Sequence, residues 1–497
     1  MRVALIDPAT RFATIEPYEN LGLAYLTAAL RQQGHEVLLL STAHQNLSMR
    51  QTLRAVTQFN PALLGITVLG ANAKRAINVV HRLRESGYNG HITLGGYYPT
   101  FHATELMHGF PAIDSIVRNE GEMTLLDLVE RLPDKDLSGV SGITYRDGAA
   151  VKENPQRPFV KSLDDLPFPA RDFTIRVLQK GNYIHVSTSR GCYANCSFCS
   201  IAKFFRMGNG KVWRRRSAAS LADEVESLTR RFHFNRFKFI DDQFILTNKE
   251  GHEFAEAFGA ELGRRNLQIK FSIACRANNI ERNLFLRLRE IGLEKIFVGV
   301  EAGHQRGLDT FDKETTVEMN DQALATLREL GLKYDMGFIL VDAYTTYEEL
   351  QQNLLYLIKH KKLIKVQGSY LSVTPSLVAY GGTPIYDRLV SERRLMGDFF
   401  NGFYYQIADK DVRRFLFIME RIFDDVLLKV FNRLLFAWHD LRRYVKSIFK
   451  PRPVVKGSNH SLGGKSHENA ASDGLLLSHH PVMEPIAERP IHLDLAR

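Results

Sequence analysis

Short apolar, β-branched runs alternate with amphipathic helical segments twice along this chain, and that rhythm admits few architectures. Up to residue 132, strand signals at 2–6, 35–40, 63–68, 91–94 and 115–117 are separated by helical patterns at 21–33, 49–59, 73–86 and 123–132, with an irregular stretch after 94. Such alternation predicts a doubly wound, flavodoxin-like parallel sheet whose ligands sit beyond the carboxyl ends of its strands. From residue 183 to about 390 the rhythm returns, and strand runs at 237–240, 270–274, 295–300, 334–340 and 368–374 each lead into polar residues. Polar groups gathered at strand carboxyl ends are what a parallel βα barrel presents. The class is therefore α/β, a doubly wound domain followed by a partial barrel, and the 497-residue length with 44% apolar content suits two or three domains.

Three of the four cysteines stand in one run, Gly191-Cys192-Tyr193-Ala194-Asn195-Cys196-Ser197-Phe198-Cys199, directly after the extended segment 183–189. This C-x3-C-x2-C spacing can ligate three irons of a 4Fe-4S cluster and leave one iron open, whereas a structural zinc would take a fourth ligand. The remaining thiol, Cys275, is distant and reads as a small buried residue. In the first region two strand ends are chemically suggestive: Gly95-Gly96-Tyr97-Tyr98-Pro99-Thr100 and Asn119-Glu120-Gly121-Glu122. Paired glycines let backbone approach a bulky flat ligand without a side chain intervening, a plain tight turn being the alternative.

The cysteine spacing, with Phe198 before the third thiol, resembles the radical S-adenosylmethionine family, in which the open iron chelates S-adenosylmethionine and reduction cleaves the sulfonium to a deoxyadenosyl radical. The first region is similar to the cobalamin-binding domain fused to many of these enzymes. Its landmarks are Gly22 to Leu26, the Gly-Gly-x-x-Pro-Thr turn and the Gly121-Glu122 step, so Gly95, Gly96, Gly121 and Glu122 are the expected cobalamin contacts. Cobalamin domains of the mutase type ligate cobalt through Asp-x-His-x-x-Gly, but this chain reads Asp7-Pro8-Ala9-Thr10-Arg11, so cobalamin without a protein histidine ligand is expected. The resemblance further implies six barrel strands, Asp241 and Asp242 at the S-adenosylmethionine ammonium, Arg276 at its carboxylate and Glu301 at its ribose. Bland alternatives are a helix cap for the two aspartates and a surface ion pair for Arg276. Near the fifth barrel strand, Val341-Asp342-Ala343-Tyr344-Thr345-Thr346 replaces a frequent Gly-x-Pro-x-Glu-Thr turn, which leaves the substrate open.

The domain layout expected is 1–132 cobalamin-binding, 133–180 a connector with a hairpin around Asp147-Gly148, 181–395 partial barrel, 396–450 helical, and 451–497 a disordered polar tail. Apolar and basic helical spacing over 415–449 fits packing against the barrel, with a substrate lid or peripheral membrane contact as alternatives. A formal charge of +10 gathers partly at Lys203, Arg206, Lys211, Arg214, Arg215 and Arg216, and without interleaved aromatics it reads as a solvated basic face, with no nucleic acid expected. The start shows no basic-then-apolar export signal and there is no apolar stretch of spanning length, so a reducing cytoplasm is expected.

By this resemblance the chain is a cobalamin-dependent methyltransferase acting on an unactivated carbon of a small-molecule, lipid or peptide substrate, fed by a donor such as flavodoxin or ferredoxin. A non-methylating radical enzyme (cyclisation, ring contraction or elimination) is one alternative. A cobalamin and iron–sulfur sensor or electron-transfer protein is another, and reductive cleavage of S-adenosylmethionine would separate it from both.

Overall fold

The computed structural model describes residues 1–8, 19–360, 373–400 and 402–425, with backbone only for 373–375 and 419–425. The chain divides into one compact unit, Met1–Arg421, and a second, Ile422–Arg497, of which only the first few residues are described. Ala9, the expected helices after 425 and the polar tail lie outside the described residues.

The amino-terminal rhythm yields β1 (Arg2–Asp7), α1 (Leu21–Gln32), β2 (Glu36–Ser41), α2 (Met49–Phe59), β3 (Leu63–Thr67), α3 (Ala73–Glu85), β4 (His91–Gly95), α4 (Tyr97–Phe101), α5 (Ala103–Gly109), β5 (Ser115–Val117) and α6 (Glu122–Arg131). The five strands are parallel in the order β2-β1-β3-β4-β5. Period-two alternation along β1 sends Ala4 and Ile6 into the core with α2 and α3, and Val3 and Leu5 into the core with α1 and α6. The irregular stretch after β4 is two short helices, α4 and α5.

The connector hairpin forms as β6 (Ile143–Asp147) and β7 (Ala150–Glu153), turning at Gly148 with φ +61°. It is not a separate element: β6 pairs antiparallel with β5 and widens the sheet to seven strands. Turn chemistry made the hairpin readable, whereas its pairing with a strand nearly thirty residues away has no local signal.

After α7 (Thr174–Gln179), the extended run 183–189 divides into β8 (Ile184–Val186) and β9 (Ser189–Gly191). The cysteine loop comes next, then α8 (Ser200–Met207) and β10 (Trp213–Arg215), which pairs antiparallel with β9. Beyond them lie β11 (Arg236–Phe239), β12 (Lys270–Arg276), β13 (Leu293–Glu301), β14 (Lys333–Val341) and β15 (Val373–Ser376). Six parallel strands in the order β15-β14-β13-β12-β11-β8 make an open barrel sheet, the number expected. Its core is aromatic: Phe239 stacks on Phe244 and Phe271, and Phe258 meets Phe239 edge-on.

The basic run after the cysteines is solvated only in part: Arg206 and Lys211 are exposed, but its end at 214–216 is not. Arg214 and Arg216 are buried, and Arg215 lies over the Phe254 ring, 3.3 Å from its centroid. Arg216 bonds Glu224, which also accepts from Arg171 Nη2 at 2.6 Å, while Arg171 Nη1 reaches Glu19 at 3.4 Å. Positive charge thus ties the strand ends of the first sheet to the barrel. The region expected to be helical from 396 begins as an antiparallel ribbon, Leu395–Asp398 with Gly402–Tyr405, ahead of the helix Lys410–Asp425. Tyr98 Oη donates to the Phe399 carbonyl at 2.6 Å, which seats this ribbon on α4. Among the described residues no helix is long and apolar enough to cross a membrane.

Candidate functional site

The cysteine loop joins β9 to α8 and is braced from three sides. Gly191 takes φ +82°, and a Cβ there would stand 1.9 Å from the Val212 carbonyl, so no other residue fits. Ser197 donates through its amide to Phe311 O at 3.0 Å and through Oγ to Thr310 O at 2.7 Å, and its own carbonyl accepts from Ile385 at 3.1 Å. Arg206 donates to the carbonyls of Tyr193 and Ala194 at 3.0 and 3.1 Å. Phe198 packs edge-on against Phe311 at 5.2 Å.

The three thiols differ in their surroundings. Cys199 sits at the N-cap of α8 without a cap hydrogen bond from its side chain, the Ala202 and Ile201 amides near Cys199 and the Ala194 amide near Cys192 favour the thiolates, and Cys196 accepts from Arg276 Nη1 at 2.9 Å. Burial pushes the free Cys199 thiol up to about 11 and that of Cys192 above its ordinary value, a penalty that metal ligation removes by replacing the proton. Among the described residues no three His, Cys, Asp or Glu side chains close around one point, as a single ion would need. Three thiols of one loop are the donor set that an open-sided iron–sulfur cluster takes.

The four barrel residues expected at S-adenosylmethionine divide into closed and open groups. Asp241 is closed: its carboxylate accepts from the Thr188 and Ser189 amides, both at 2.7 Å, and from Thr188 Oγ1 at 2.6 Å, fastening β11 to the turn before β9. Asp242 is exposed on the cavity, and the protein enclosing it, together with the adjacent Asp241 charge, pushes its carboxyl up to about 7. Neither caps a helix, a role Asn248 takes by accepting from Gly251 at 2.9 Å. Arg276 is not a surface residue. At 4% exposure it bonds Cys196, the Lys313 carbonyl and Asn278, with Tyr193 under its guanidinium.

Glu301 ends β13 in the left-handed region at φ +72°, after a register shift against β14. A non-glycine residue held there is strained by about 1–3 kcal/mol and needs partners that fix it. Its partner is Lys313 Nζ at 2.9 Å, with side-chain exposures of 13% and 4%. A Cβ at Gly299 would lie 2.7 Å from Glu301 Oε1, which is why glycine precedes it. Cys275 is enclosed in the barrel core, its thiol pushed up to about 12 by burial.

A cavity of about 850 Å³ lies between the first sheet and the barrel. Gly95, Gly96, Gly121, Glu122 and apolar residues of α1 line one side, and His185, Lys238, Asp241, Asp242, Ser272, Ala274, Lys295 and Asp335 line the other. Gly96 takes φ +106°, and a Cβ there would press on the Val68 carbonyl at 2.9 Å; Gly65 backs the same wall. This wall of bare backbone is the cradle a flat macrocycle needs. Cys192, Cys196, Cys199, Arg276 and Glu301 lie outside the cavity's lining.

Glu122 lines the cavity and is already paired. It accepts from Arg190 Nη2 at 2.6 Å, and its neighbour Glu120 accepts from Arg190 at 3.1 Å and from Arg214 Nη2 at 2.6 Å. Burial opposes charge on Glu120, yet the Arg214 hydrogen bond and both guanidinium charges outweigh it and hold the carboxyl below its usual range. The sequence carried a hint, since Arg190 directly precedes Gly191-Cys192 and Glu120 belongs to the Glu-Gly-Glu step. Nothing in the sequence marked Lys313.

Residues 15–129 match the B12 binding domain and residues 186–357 the Radical SAM superfamily. An uncharacterized methyltransferase of Pyrococcus horikoshii is 27% identical over 406 residues, 80% of this chain and 84% of that protein. An anaerobic magnesium-protoporphyrin IX monomethyl ester cyclase of Rubrivivax gelatinosus is 30% identical over 371 residues, 71% of this chain but 64% of its own length. Among solved structures, the cobalamin-dependent S-adenosylmethionine radical enzyme OxsB with aqua-cobalamin and S-adenosylmethionine bound superimposes with a TM-score of 0.72. It is 23% identical, covering 85% of this chain and 66% of that one, a likeness of fold.

Proposed function

This chain is a radical S-adenosylmethionine enzyme that carries a B12-binding domain, and from that premise we propose that it is a cobalamin-dependent methyltransferase acting on an unactivated carbon. The observation that carries the proposal is the single cavity whose walls are the glycine-lined strand ends of one domain and the inner face of the other. Two cofactors facing one substrate space is what radical methylation requires, because hydrogen abstraction and methyl delivery must reach the same carbon.

In this reading Cys192, Cys196 and Cys199 hold a 4Fe-4S cluster, and Gly95, Gly96 and Gly121 take cobalamin without a side chain intervening. When bound, the cluster, S-adenosylmethionine and cobalamin supply radical formation and a transferable methyl group. Asp242, open to the cavity, accepts the S-adenosylmethionine ammonium, while Asp241 holds the turn that precedes the cysteines. Arg276 places positive charge on Cys196, and Lys313 holds the Glu301 carboxylate in place for the ribose hydroxyls. The substrate is a small molecule, a lipid or a peptide, the reductant a flavodoxin or ferredoxin, and the setting a reducing cytoplasm that suits four free cysteines.

The Rubrivivax relative favours a second reading, a radical cyclisation without methyl transfer. Anaerobically reconstituted protein, given cobalamin, reductant and S-adenosylmethionine labelled in its methyl group, separates the two. Label on bound cobalamin is the expected result. Cleavage of S-adenosylmethionine with no label on cobalamin supports the cyclase, and no cleavage at all removes both.

A further inference from the structure

The first cysteine is carried by a ribbon that does not hold itself together. Arg190 on β9 and Arg214 on β10 stand directly opposite one another in the antiparallel register. Like charges in that position repel, and here neither is relieved by water, since the side chains are 15% and 4% exposed. The compensation comes from the other domain. Glu120 bridges the pair, accepting from Arg190 Nη1 at 3.1 Å and from Arg214 Nη1 and Nη2 at 3.0 and 2.6 Å, and Glu122 takes Arg190 Nη2 at 2.6 Å. Phe159 beneath Arg214 and Tyr25 beneath Arg190 complete the enclosure, with guanidinium-to-centroid distances of 4.7 and 5.0 Å. Gly191 and Cys192 come after Arg190 without an intervening residue.

We propose that Glu120 and Glu122 are positioning residues: from the step that flanks the cobalamin-facing Gly121, they neutralise the Arg190–Arg214 pair and so set the place of the first cluster thiol. Register between the two domains is then fixed at the atom where it matters, because the residues beside the cobalamin wall and the residues before Cys192 belong to one ion cluster. A ribbon left with two facing arginines separates at its open end, and Cys192 moves away from Cys196 and Cys199 while those two keep their own supports. The proposal rests on the reading of the three cysteines as cluster ligands, but the motion it describes concerns the polypeptide alone.

The test therefore begins with the metal-free full chain. In Glu120→Gln, amide hydrogen exchange over residues 190–192 and 213–215 is expected to rise by about tenfold or more while residues 196–207 are unchanged. Glu120→Asp, which keeps the charge, restores most of the protection. If Glu120→Gln does not fold, Glu122→Gln removes one contact and should raise exchange at 190–192 only. Unaltered exchange in a folded variant overturns the proposal whatever the cysteines bind. In reconstituted protein, iron content should stay near that of the parent, but the change in the reduced cluster's electron paramagnetic resonance signal on adding S-adenosylmethionine should differ from the parent's. An identical spectral change overturns the link from ribbon to cluster. A parent that binds no iron contradicts the cluster reading and leaves the exchange result to decide the proposal.

Discussion

The two walls of the central cavity solve recognition in opposite ways. On the B12-binding side bare Gly95, Gly96 and Gly121 lie beside apolar residues of α1, and the carboxylates there, Glu120 and Glu122, are already paired with arginines. On the barrel side Lys238, Lys295, Asp335 and Asp242 face the same space among apolar residues such as Phe239 and Phe297. The physical demands differ. A large rigid ring is held by shape, so missing side chains matter most there. A small polar cofactor is held by a few charged groups, and a buried charge needs a partner, as Glu301 beyond the lining has in Lys313. Damage on the first wall should therefore be steric and local, and on the second electrostatic and shared with a partner.

The largest effect should fall where neither kind of compensation exists. Cys196→Ala removes a ligand and strands the buried Arg276 guanidinium, so iron binding and S-adenosylmethionine cleavage are expected to be lost together. Iron analysis and deoxyadenosine formation check this, and a variant that retains both removes the cluster assignment. On the backbone wall, Gly96→Val forces a β-branched residue to φ +106° against the Val68 carbonyl, a strain of about 1–3 kcal/mol, and places methyl groups in the cradle. Cobalamin occupancy should fall at least tenfold while iron content is retained. Equal loss of both would erase the contrast between the walls.

Smaller effects belong to the charged groups of the barrel that stand outside the lining. Glu301→Gln keeps the shape but removes the charge, leaving Lys313 without its carboxylate partner. S-adenosylmethionine affinity should weaken roughly ten- to a hundredfold, about 1.5 to 3 kcal/mol, with iron and cobalamin contents unchanged. Titration calorimetry reads this directly, and unaltered affinity would make the Glu301–Lys313 pair purely structural.

Least in size is a pH effect. Asp242 has its carboxyl raised to about 7 by burial and by Asp241, so between pH 4 and 7 the folded chain holds a proton that the unfolded chain has released. Its contribution to stability is therefore present at low pH and lost as pH rises through about 7. Asp242→Asn should melt about 1–3 °C above the parent at pH 8 and by clearly less at pH 5, cofactors being absent from both. An equal gap at the two pH values would contradict the shift.

Legibility tracked locality. Strand after strand of both sheets could be read, because each announces itself by alternation within six or seven residues and by the polar or glycine-rich turn at its carboxyl end. The cysteine run was legible for the same reason, and so were Gly95-Gly96 and Glu301, whose glycine neighbours prove to make room for a carbonyl and a carboxylate. Partnerships over long separations were not. Arg276 and Cys196 lie eighty residues apart, Glu120 and Arg190 seventy, and the charge of each was visible while its neighbour was not. Asp241 illustrates the cost: its position was right for a cofactor acid, yet three hydrogen bonds to Thr188 and Ser189 occupy its carboxylate. The basic run at 211–216 misled for the same reason, since Arg214 and Arg216 look solvated until Glu120 and Glu224 arrive from elsewhere in the chain.

The central claim is that both cofactors reach one substrate space, cobalamin against the glycine wall and S-adenosylmethionine through Asp242, with the cluster cysteines outside the cavity's own lining; it is tested most directly in protein loaded with cobalamin and with the reconstituted cluster, both brought to their paramagnetic states. Electron paramagnetic resonance should then show each signal broadened by the other, and Gly96→Val, which empties only the first wall, should return the cluster to a sharp, isolated spectrum. Two unperturbed signals from fully occupied protein would mean that the cofactors do not share this space, and the methyltransferase reading would fall with it.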